Sequence, residues 1–149
     1  MKIAIFTDTF PPAVNGVAHV VAQSAMRLAL RGHDVRVITT SQGSDAYLQT
    51  VSQGKYTICN IYSFPSGVYP DIRLSIPLAT TMRQLRGWTP DIVHTHTPFG
   101  VGWAAARCAT RFGVPLIGTH HTFFDNYLKH VHLDIRPARE MSWKMTIAY

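Results

Sequence analysis

The sequence has few cysteines, few acidic residues and no long apolar run. Cys59 and Cys108 are its only cysteines, and no Cys-x-x-Cys spacing is present. We therefore expect two buried structural thiols in a protein of a reducing compartment. No segment approaches the roughly 20 apolar residues that a membrane-spanning helix needs, so no such helix is predicted. Apolar residues still make up 46% of the 149 residues, which is enough for one domain with its own core.

The charge balance is basic because acidic residues are scarce. Fourteen Lys and Arg face eight Asp and Glu, for a formal net charge of +6. This balance favours an acidic partner, which could be a nucleic acid, a phosphorylated small molecule or an anionic membrane surface. The cations are scattered singly, however, and neither a helix-turn-helix nor an aromatic RNA-binding signature is present. Nucleic acid is therefore not an expected partner.

Apolar runs alternate with segments of helical periodicity. The runs predict five strands, at residues 2–7, 34–40, 56–62, 91–95 and 114–119. Helices are predicted between them, at residues 17–31, 78–86 and 98–112, with Val20 on the inner face of the first and Thr97 as the N-cap of the third. Residues 41–55 are predicted to form a polar surface connection, and residues 63–76 mostly a loop with a short extended piece around residues 72–75. The alternation predicts an α/β fold, a Rossmann-like doubly wound parallel sheet with helices on both faces.

The loop after the first strand is the strongest local signal for a ligand. It covers residues 8–17, and Asn15 near its end is a predicted helix N-cap. Backbone N–H groups at such a helix start face an anion or phosphate. The loop is too long, and has too few glycines, for a dinucleotide-binding fingerprint. In a doubly wound sheet the first and fourth strands flank the ligand crevice, which would place this loop opposite His96.

Four of the eight histidines stand at two predicted strand ends, at positions 94, 96, 120 and 121. His94 and His96 should point the same way because alternate residues of a strand share a face. Three interpretations of these histidines stay open. They are hydrogen-bonded structural imidazoles, ligands of a zinc ion, or polar groups that contact a sugar hydroxyl or a phosphate. No HExxH motif, cysteine pair or third carboxylate ligand supports zinc.

Four stretches, in this order, resemble retaining glycosyltransferases of family 4, which adopt the two-domain GT-B fold. They are residues 6–17 (FTDTFPPAVNGV), 90–98 (PDIVHTHTP), 113–122 (GVPLIGTHHT) and 124–128 (FDNYL). The resemblance spans nearly the whole chain. It is closest to the branch that acts on lipid acceptors, such as diacylglycerol glycolipids and phosphatidylinositol mannosides.

The resemblance implies a role for several residues. Asn15, Gly16 and Val17 match the family's loop that approaches the diphosphate and sugar of the donor. His121 matches a catalytically important histidine near the transferring sugar. Residues that match the acceptor side, or that we expect there, are His96, Asp125, Tyr127, Lys129 and Arg73. No metal ion or other cofactor is implied, because GT-B enzymes generally work without a bound divalent ion.

The chain departs from the family pattern in its acidic residues. Family members carry a Glu-x7-Glu motif in a second, nucleotide-binding domain, whereas this chain has a single glutamate, Glu140. We therefore expect residues 1–149 to be the N-terminal acceptor-side domain alone, cut within a helical pattern. Without its C-terminal domain the chain should have little or no activity.

Two further hypotheses concern partners. The predicted helix around Arg83 and Arg86 carries an apolar stripe and precedes Trp88. It could therefore lie on an anionic membrane surface, or it could pack against the core with solvated arginines. The resemblance implies a cytoplasmic enzyme, with a peripheral position at the inner face of the membrane. From another class, a non-catalytic module that binds a sugar or phosphate ligand is the alternative function.

Overall fold

A computed structural model describes residues 1–41, 47–51, 55–65, 73–75, 78–98 and 100–121. The chain divides into two compact units, Met1–Thr119 and His120–Tyr149. The strands of the first unit are β1 (Lys2–Thr7), β2 (Asp34–Thr40), β3 (Tyr47–Val51), β4 (Tyr56–Ile61), β5 (Ser63–Pro65), β6 (Arg73–Ser75), β7 (Ile92–Thr95) and β8 (Leu116–Gly118). Its helices are α1 (Gly16–Leu30), α2 (Leu78–Gln84) and α3 (Gly100–Phe112). None of these helices is long and apolar enough to cross a bilayer.

Within the described residues, six strands form one sheet in the order β3-β4-β2-β1-β7-β8. Five of them run parallel, and β3 pairs antiparallel with β4 at one edge. The predicted doubly wound parallel sheet is confirmed, as are the placement of β1 beside β7 and of β8 beside β7. β1 lies at the centre of the sheet, with β2 on one side and β7 on the other. The chain adds β2 and β4 on the first side and then β7 and β8 on the second.

The two faces of the sheet bury different helices. Ile3, Ile5, Val35 and Val37 pack against Val21 and Ala25 of α1. On the other face, Ala4, Phe6 and Ile38 pack against α3, which presents small residues, Val101, Ala104, Ala105, Cys108 and Ala109. Small side chains allow a helix to approach a sheet closely. Both cysteines are free and buried, as predicted.

Several sequence predictions about the connections were wrong. Residues 41–55 do not form a simple surface connection, because β3 lies within them and extends the sheet by one strand. In residues 63–76 the extended piece predicted around residues 72–75 is confirmed as β6, whereas its partner β5 lies where loop was predicted. Val20 was placed on the inner face of its helix, but its side chain is 44% exposed. Edge strands and short ribbons depend on partners distant in sequence, so local patterns predict them poorly.

The segment around Arg83 and Arg86, for which two hypotheses were open, packs into the core. Leu85 and Trp88 are buried, and Met82 packs against the same core cluster. Arg83 and Arg86 are exposed. Of the two interpretations offered for this segment, the structure therefore supports a core-packing helix with solvated arginines. Met82, Leu85 and Trp88 of the apolar stripe are thus occupied by core packing.

Candidate functional site

The carboxyl ends of β1 and β7 lie side by side at the centre of the sheet. Phe6 is in register with Thr95, and the backbone N–H of His96 donates to the Phe6 carbonyl at 2.9 Å. In open α/β sheets a ligand crevice forms outside the strand ends at such a change of direction. The first loop and the segment after β7 therefore flank the candidate site, as the sequence predicted.

Both strands end in the same Thr-x-Thr arrangement. The Thr7 hydroxyl donates to the Thr9 carbonyl at 2.8 Å, and the Thr95 hydroxyl donates to the Thr97 carbonyl at 3.0 Å. These bonds satisfy backbone groups that the sheet no longer pairs. The residue between the threonines is Asp8 at one strand end and a histidine at the other.

Asn15 caps α1, as predicted. Its backbone is extended, at φ −150° and ψ 165°, and its side-chain oxygen accepts from the Ala18 N–H at 2.9 Å. Its Nδ2 group donates to the Thr9 hydroxyl at 2.8 Å, which ties the cap to the start of the loop. Such a cap leaves other N–H groups of the first helical turn available to an anion.

Gly16 begins α1 and is exposed. A Cβ atom built on Gly16 would meet no atom within 4 Å. The first turn of α1 carries no acidic residue, so nothing in it opposes the attraction of the helix N-terminus for a negative charge. The start of α1 is thus open to solvent, and no acidic side chain of its first turn opposes the binding of an anion there. Val14, two residues before Gly16, is 96% exposed.

His94 and His96 lie on the α1 face of the sheet and point the same way, as predicted. Their ring centroids are 4.1 Å apart. The His94 Nε2 atom lies 2.7 Å from the Thr119 hydroxyl, so this ring is a hydrogen-bonded structural imidazole. His96 is only 6% exposed. Among the described residues no His, Cys, Asp and Glu side chains are grouped in a way that could hold a metal ion.

Asp8 is a buried carboxylate that joins the two halves of the site. One of its oxygens accepts a hydrogen bond from the Thr97 hydroxyl. The other accepts from the Val101 N–H, in the first turn of α3, at 3.4 Å. Burial raises the pKa of Asp8 to about 6, against the opposing effect of the hydrogen bonds from Thr97 and Val101. At neutral pH the carboxylate is therefore ionised inside the protein.

The buried charge of Asp8 gives a prediction about stability. Its pKa is 3.8 when unperturbed and about 6 in the fold. The protonated side chain therefore favours folding below pH 3.8, and this contribution is lost as the pH rises through 6. Asp8→Asn is nearly the same shape, and without a charge its Oδ1 can accept from the Val101 N–H while its Nδ2 donates to the Thr97 hydroxyl. We expect it to raise the free energy of unfolding at pH 7.5 by up to about 3 kcal/mol.

Urea denaturation of both proteins between pH 4 and 8 measures this difference. The gain should be small near pH 4, grow up to about pH 7 and then stay constant. Asp91→Asn is the matched control, because the Asp91 carboxylate is exposed and accepts from the Lys2 N–H at 2.7 Å. A gain at Asp8 that does not change with pH would contradict the ionised buried carboxylate.

Arg73 lies away from the sheet centre, on β6. Its Nε group donates to the Ser63 hydroxyl and its Nη2 group to the Ser63 carbonyl, both at 2.8 Å. Ser63 in turn donates to the Ser41 carbonyl at 2.6 Å. The guanidinium thus fastens the β5–β6 ribbon to the segment after β2, and its predicted acceptor role stays a prediction.

The described residues of the second unit are His120 and His121. Partial burial lowers the pKa of His121, and the positive charge of His120 lowers it further. The imidazole of His121 is therefore neutral at neutral pH. The predicted acceptor residues Asp125, Tyr127 and Lys129 lie outside the described residues.

Two functional assignments needed the three-dimensional structure. Thr97 was predicted to cap the following helix, but α3 begins only at Gly100 and the Thr97 hydroxyl serves Asp8 instead. Asp8 itself received no role from the sequence. The available signal was an isolated carboxylate between two threonines, directly after a fully apolar strand.

A separate cleft of about 550 Å³ opens at the opposite, amino-terminal edge of the sheet, between Lys2, Asp34 and Asp91. Its two carboxylates already have protein partners. Asp34 accepts from the indole N–H of Trp88 at 2.6 Å, and Asp91 accepts from the Lys2 backbone. These carboxylates serve the fold.

Comparison with known proteins agrees with this geometry. The fold resembles that of sucrose-phosphate synthase from Thermosynechococcus elongatus, with a TM-score of 0.67 at 16% sequence identity, over 99% of this chain and 39% of that one. The sheet is thus the N-terminal α/β part of a GT-B fold. The family model of Glycosyltransferase Family 4 matches residues 14–148, and the chain belongs to that family.

Curated relatives carry more specific names. A GDP-mannose-dependent alpha-mannosyltransferase of Corynebacterium glutamicum is 31% identical over 147 residues, 97% of this chain and 34% of the relative. An alpha-monoglucosyldiacylglycerol synthase of Streptococcus pneumoniae is 28% identical over 132 residues, 88% of this chain and 29% of the relative. The chain thus spans about a third of the length of these relatives.

Proposed function

We propose that residues 1–149 are the N-terminal, acceptor-side domain of a retaining glycosyltransferase. The complete enzyme transfers a hexose from a nucleotide diphosphate sugar to a hydroxyl group, which we assign to a membrane lipid. The observation that carries this proposal is the open N-terminus of α1 at Gly16, beside the end of β7, in a chain of glycosyltransferase family 4. A separate C-terminal domain supplies the nucleotide site.

The donor diphosphate is the natural ligand of the α1 N-terminus. When the sugar leaves, negative charge builds on the phosphate oxygen that departs, and fixed N–H dipoles stabilise that charge. Asn15 holds the first turn in place, and Gly16 leaves room for the phosphate and sugar to approach the backbone. Val17 completes the loop that we assign to the donor.

The remaining site residues are assigned to the sugar and the acceptor. His121 is assigned to the transferring sugar, where a neutral imidazole can exchange hydrogen bonds with sugar hydroxyls. His96 is assigned to the acceptor side of the crevice. Arg73 is assigned to an anionic group of the acceptor, together with Asp125, Tyr127 and Lys129.

The relatives favour a lipid or sugar acceptor over a protein. One is named for GDP-mannose and another for a glucosylated diacylglycerol. We therefore propose a cytoplasmic enzyme that meets its acceptor at the membrane surface as a peripheral protein. The excess of basic residues favours anionic vesicles over neutral ones.

The test uses the complete reading frame of which this chain is the N-terminal part. The purified protein is incubated with GDP-mannose or a nucleoside diphosphate glucose, and with diacylglycerol or its monoglucoside in anionic or neutral vesicles. We expect transfer from one donor, with the anomeric configuration of the donor kept in the product and faster turnover on anionic vesicles. Donor binding without transfer to any acceptor would favour the non-catalytic binding module.

A further inference from the structure

We propose that Asp8 is a positioning residue that holds the donor-facing start of α1 in a fixed place relative to the acceptor-facing end of β7. This inference rests on the proposed function, because it assigns Asp8 to the coupling of donor and acceptor in that reaction. Asp8 itself is buried and does not touch either substrate in this role.

The carboxylate connects segments that lie beyond the last paired residues of the sheet. The hydrogen bonds between strands no longer hold these segments together. It accepts from Thr97, two residues after β7 ends, and from the first turn of α3 at Val101. Its own backbone carbonyl accepts from the Thr40 hydroxyl at the end of β2, at 3.0 Å. Three segments are therefore tied to the single residue that follows β1.

From Asp8 the connection continues to the donor side. The next residue, Thr9, accepts at its hydroxyl from the Asn15 side chain, and Asn15 accepts from the Ala18 N–H in the first turn of α1. The His19 N–H donates to the Asn15 carbonyl at 3.1 Å. Two sets of hydrogen bonds, joined by the peptide bond between Asp8 and Thr9, thus connect the end of β7 to the helix start at Gly16.

A buried carboxylate at this place is not explained by stability. Burial raises its pKa and opposes its ionised form, so an amide of the same shape would serve the fold better. The charged oxygens accept from a hydroxyl and a backbone N–H at once, and bonds to a charged acceptor are shorter and stronger than neutral ones. Such bonds fix the start of α1, which faces the donor, relative to the end of β7, which faces the acceptor. Sugar transfer depends on that alignment.

The variants separate hydrogen bonding from charge. Asp8→Ala removes both side-chain bonds, and Thr97→Val removes one of them with little change of shape. Asp8→Asn keeps both bonding partners and serves as the conservative variant. Asp91→Asn, at the opposite edge of the sheet, is the control for the substitution itself.

The first measurement is the ratio of donor hydrolysis to sugar transfer in the complete enzyme. In hydrolysis a water oxygen, in place of the acceptor hydroxyl, bonds to the anomeric carbon as the nucleoside diphosphate leaves. The ratio does not depend on the fraction of active protein, so a purely structural loss leaves it unchanged. We expect Asp8→Ala and Thr97→Val to raise it about tenfold. Asp91→Asn should stay within about twofold of the wild type, and Asp8→Asn, which keeps a bond to each partner but loses the charge, should fall between the wild type and Asp8→Ala.

The second measurement is amide hydrogen exchange, which needs no catalysis. Asp8→Ala and Thr97→Val should speed exchange at Ala18 and His19, while the amides of β4 keep their wild-type rates. Unchanged exchange, or an unchanged hydrolysis ratio in an enzyme that transfers sugar, would overturn the positioning role. A wild-type enzyme without transfer would refute the proposed function, and the exchange rates would still decide whether Asp8 fixes the start of α1.

Discussion

Gly16→Ala in the complete enzyme is expected to lower kcat/KM for the nucleotide sugar by about 100-fold, because a methyl group would stand between the donor and the helix N–H groups. The same change should leave the fold intact. Gly16 is the first residue of α1, its φ is not in the left-handed region, and a Cβ there meets no protein atom. Alanine is also the better helix former.

A second glycine variant should give the opposite result, with lower stability and unchanged activity. Gly113, directly after α3, has a φ of +65°, which L side chains rarely adopt. Gly113→Ala should therefore lower the free energy of unfolding by about 1 kcal/mol and leave the activity of the folded enzyme unchanged. Steady-state kinetics and urea denaturation of both variants measure the two effects. Wild-type kinetics in Gly16→Ala would refute the donor role of the α1 N-terminus.

His121→Ala is expected to lower kcat by about 100- to 1,000-fold, with a much smaller change in KM for the donor. The pKa of His121 is lowered by burial and by the charge of His120, so its imidazole is neutral at working pH and offers one donor and one acceptor. The loss should therefore be nearly constant above pH 7. The measurement is single-turnover transfer with the complete enzyme between pH 6 and 9.

Two comparison variants define what the His121 result means. His121→Gln keeps a neutral donor and acceptor but cannot exchange a proton, and recovery of activity in it would assign the residue to hydrogen bonding. His33→Ala removes a histidine after the end of α1, at the opposite edge of the sheet, and should retain full activity. Near-normal turnover in His121→Ala would show that this side chain is not part of the catalytic site.

Much of the fold was predictable because the relevant signals are local. The apolar run from Ile3 to Phe6 forms a strand, since all four side chains are buried in the centre of a covered sheet. Asn15 caps α1 because its short side chain reaches the first free N–H groups of the helix. The placement of β1 beside β7 followed from the general winding of α/β sheets.

Other features depended on distant partners and could not be read locally. β3 is a strand because it pairs with the free edge of β4, and its five residues lie in a mostly polar stretch that hides their strand propensity. The apolar stripe around Leu85 and Trp88 fits a membrane surface and a protein core equally well by its pattern. Only the packing of these residues against the sheet decides between the two.

The sequence by itself therefore determined the α/β class and the family resemblance that comparison with known proteins confirmed, and it is the source of the proposed donor role of the first loop. The tertiary structure alone decided the position of Asp8. Its carboxylate lies 89 residues from Thr97 and 93 from Val101 along the chain. Burial and hydrogen bonding act through space, so these contacts, the burial that raises the pKa of Asp8 and the link between the end of β7 and the start of α1 exist only once β1, β7 and α3 have come together.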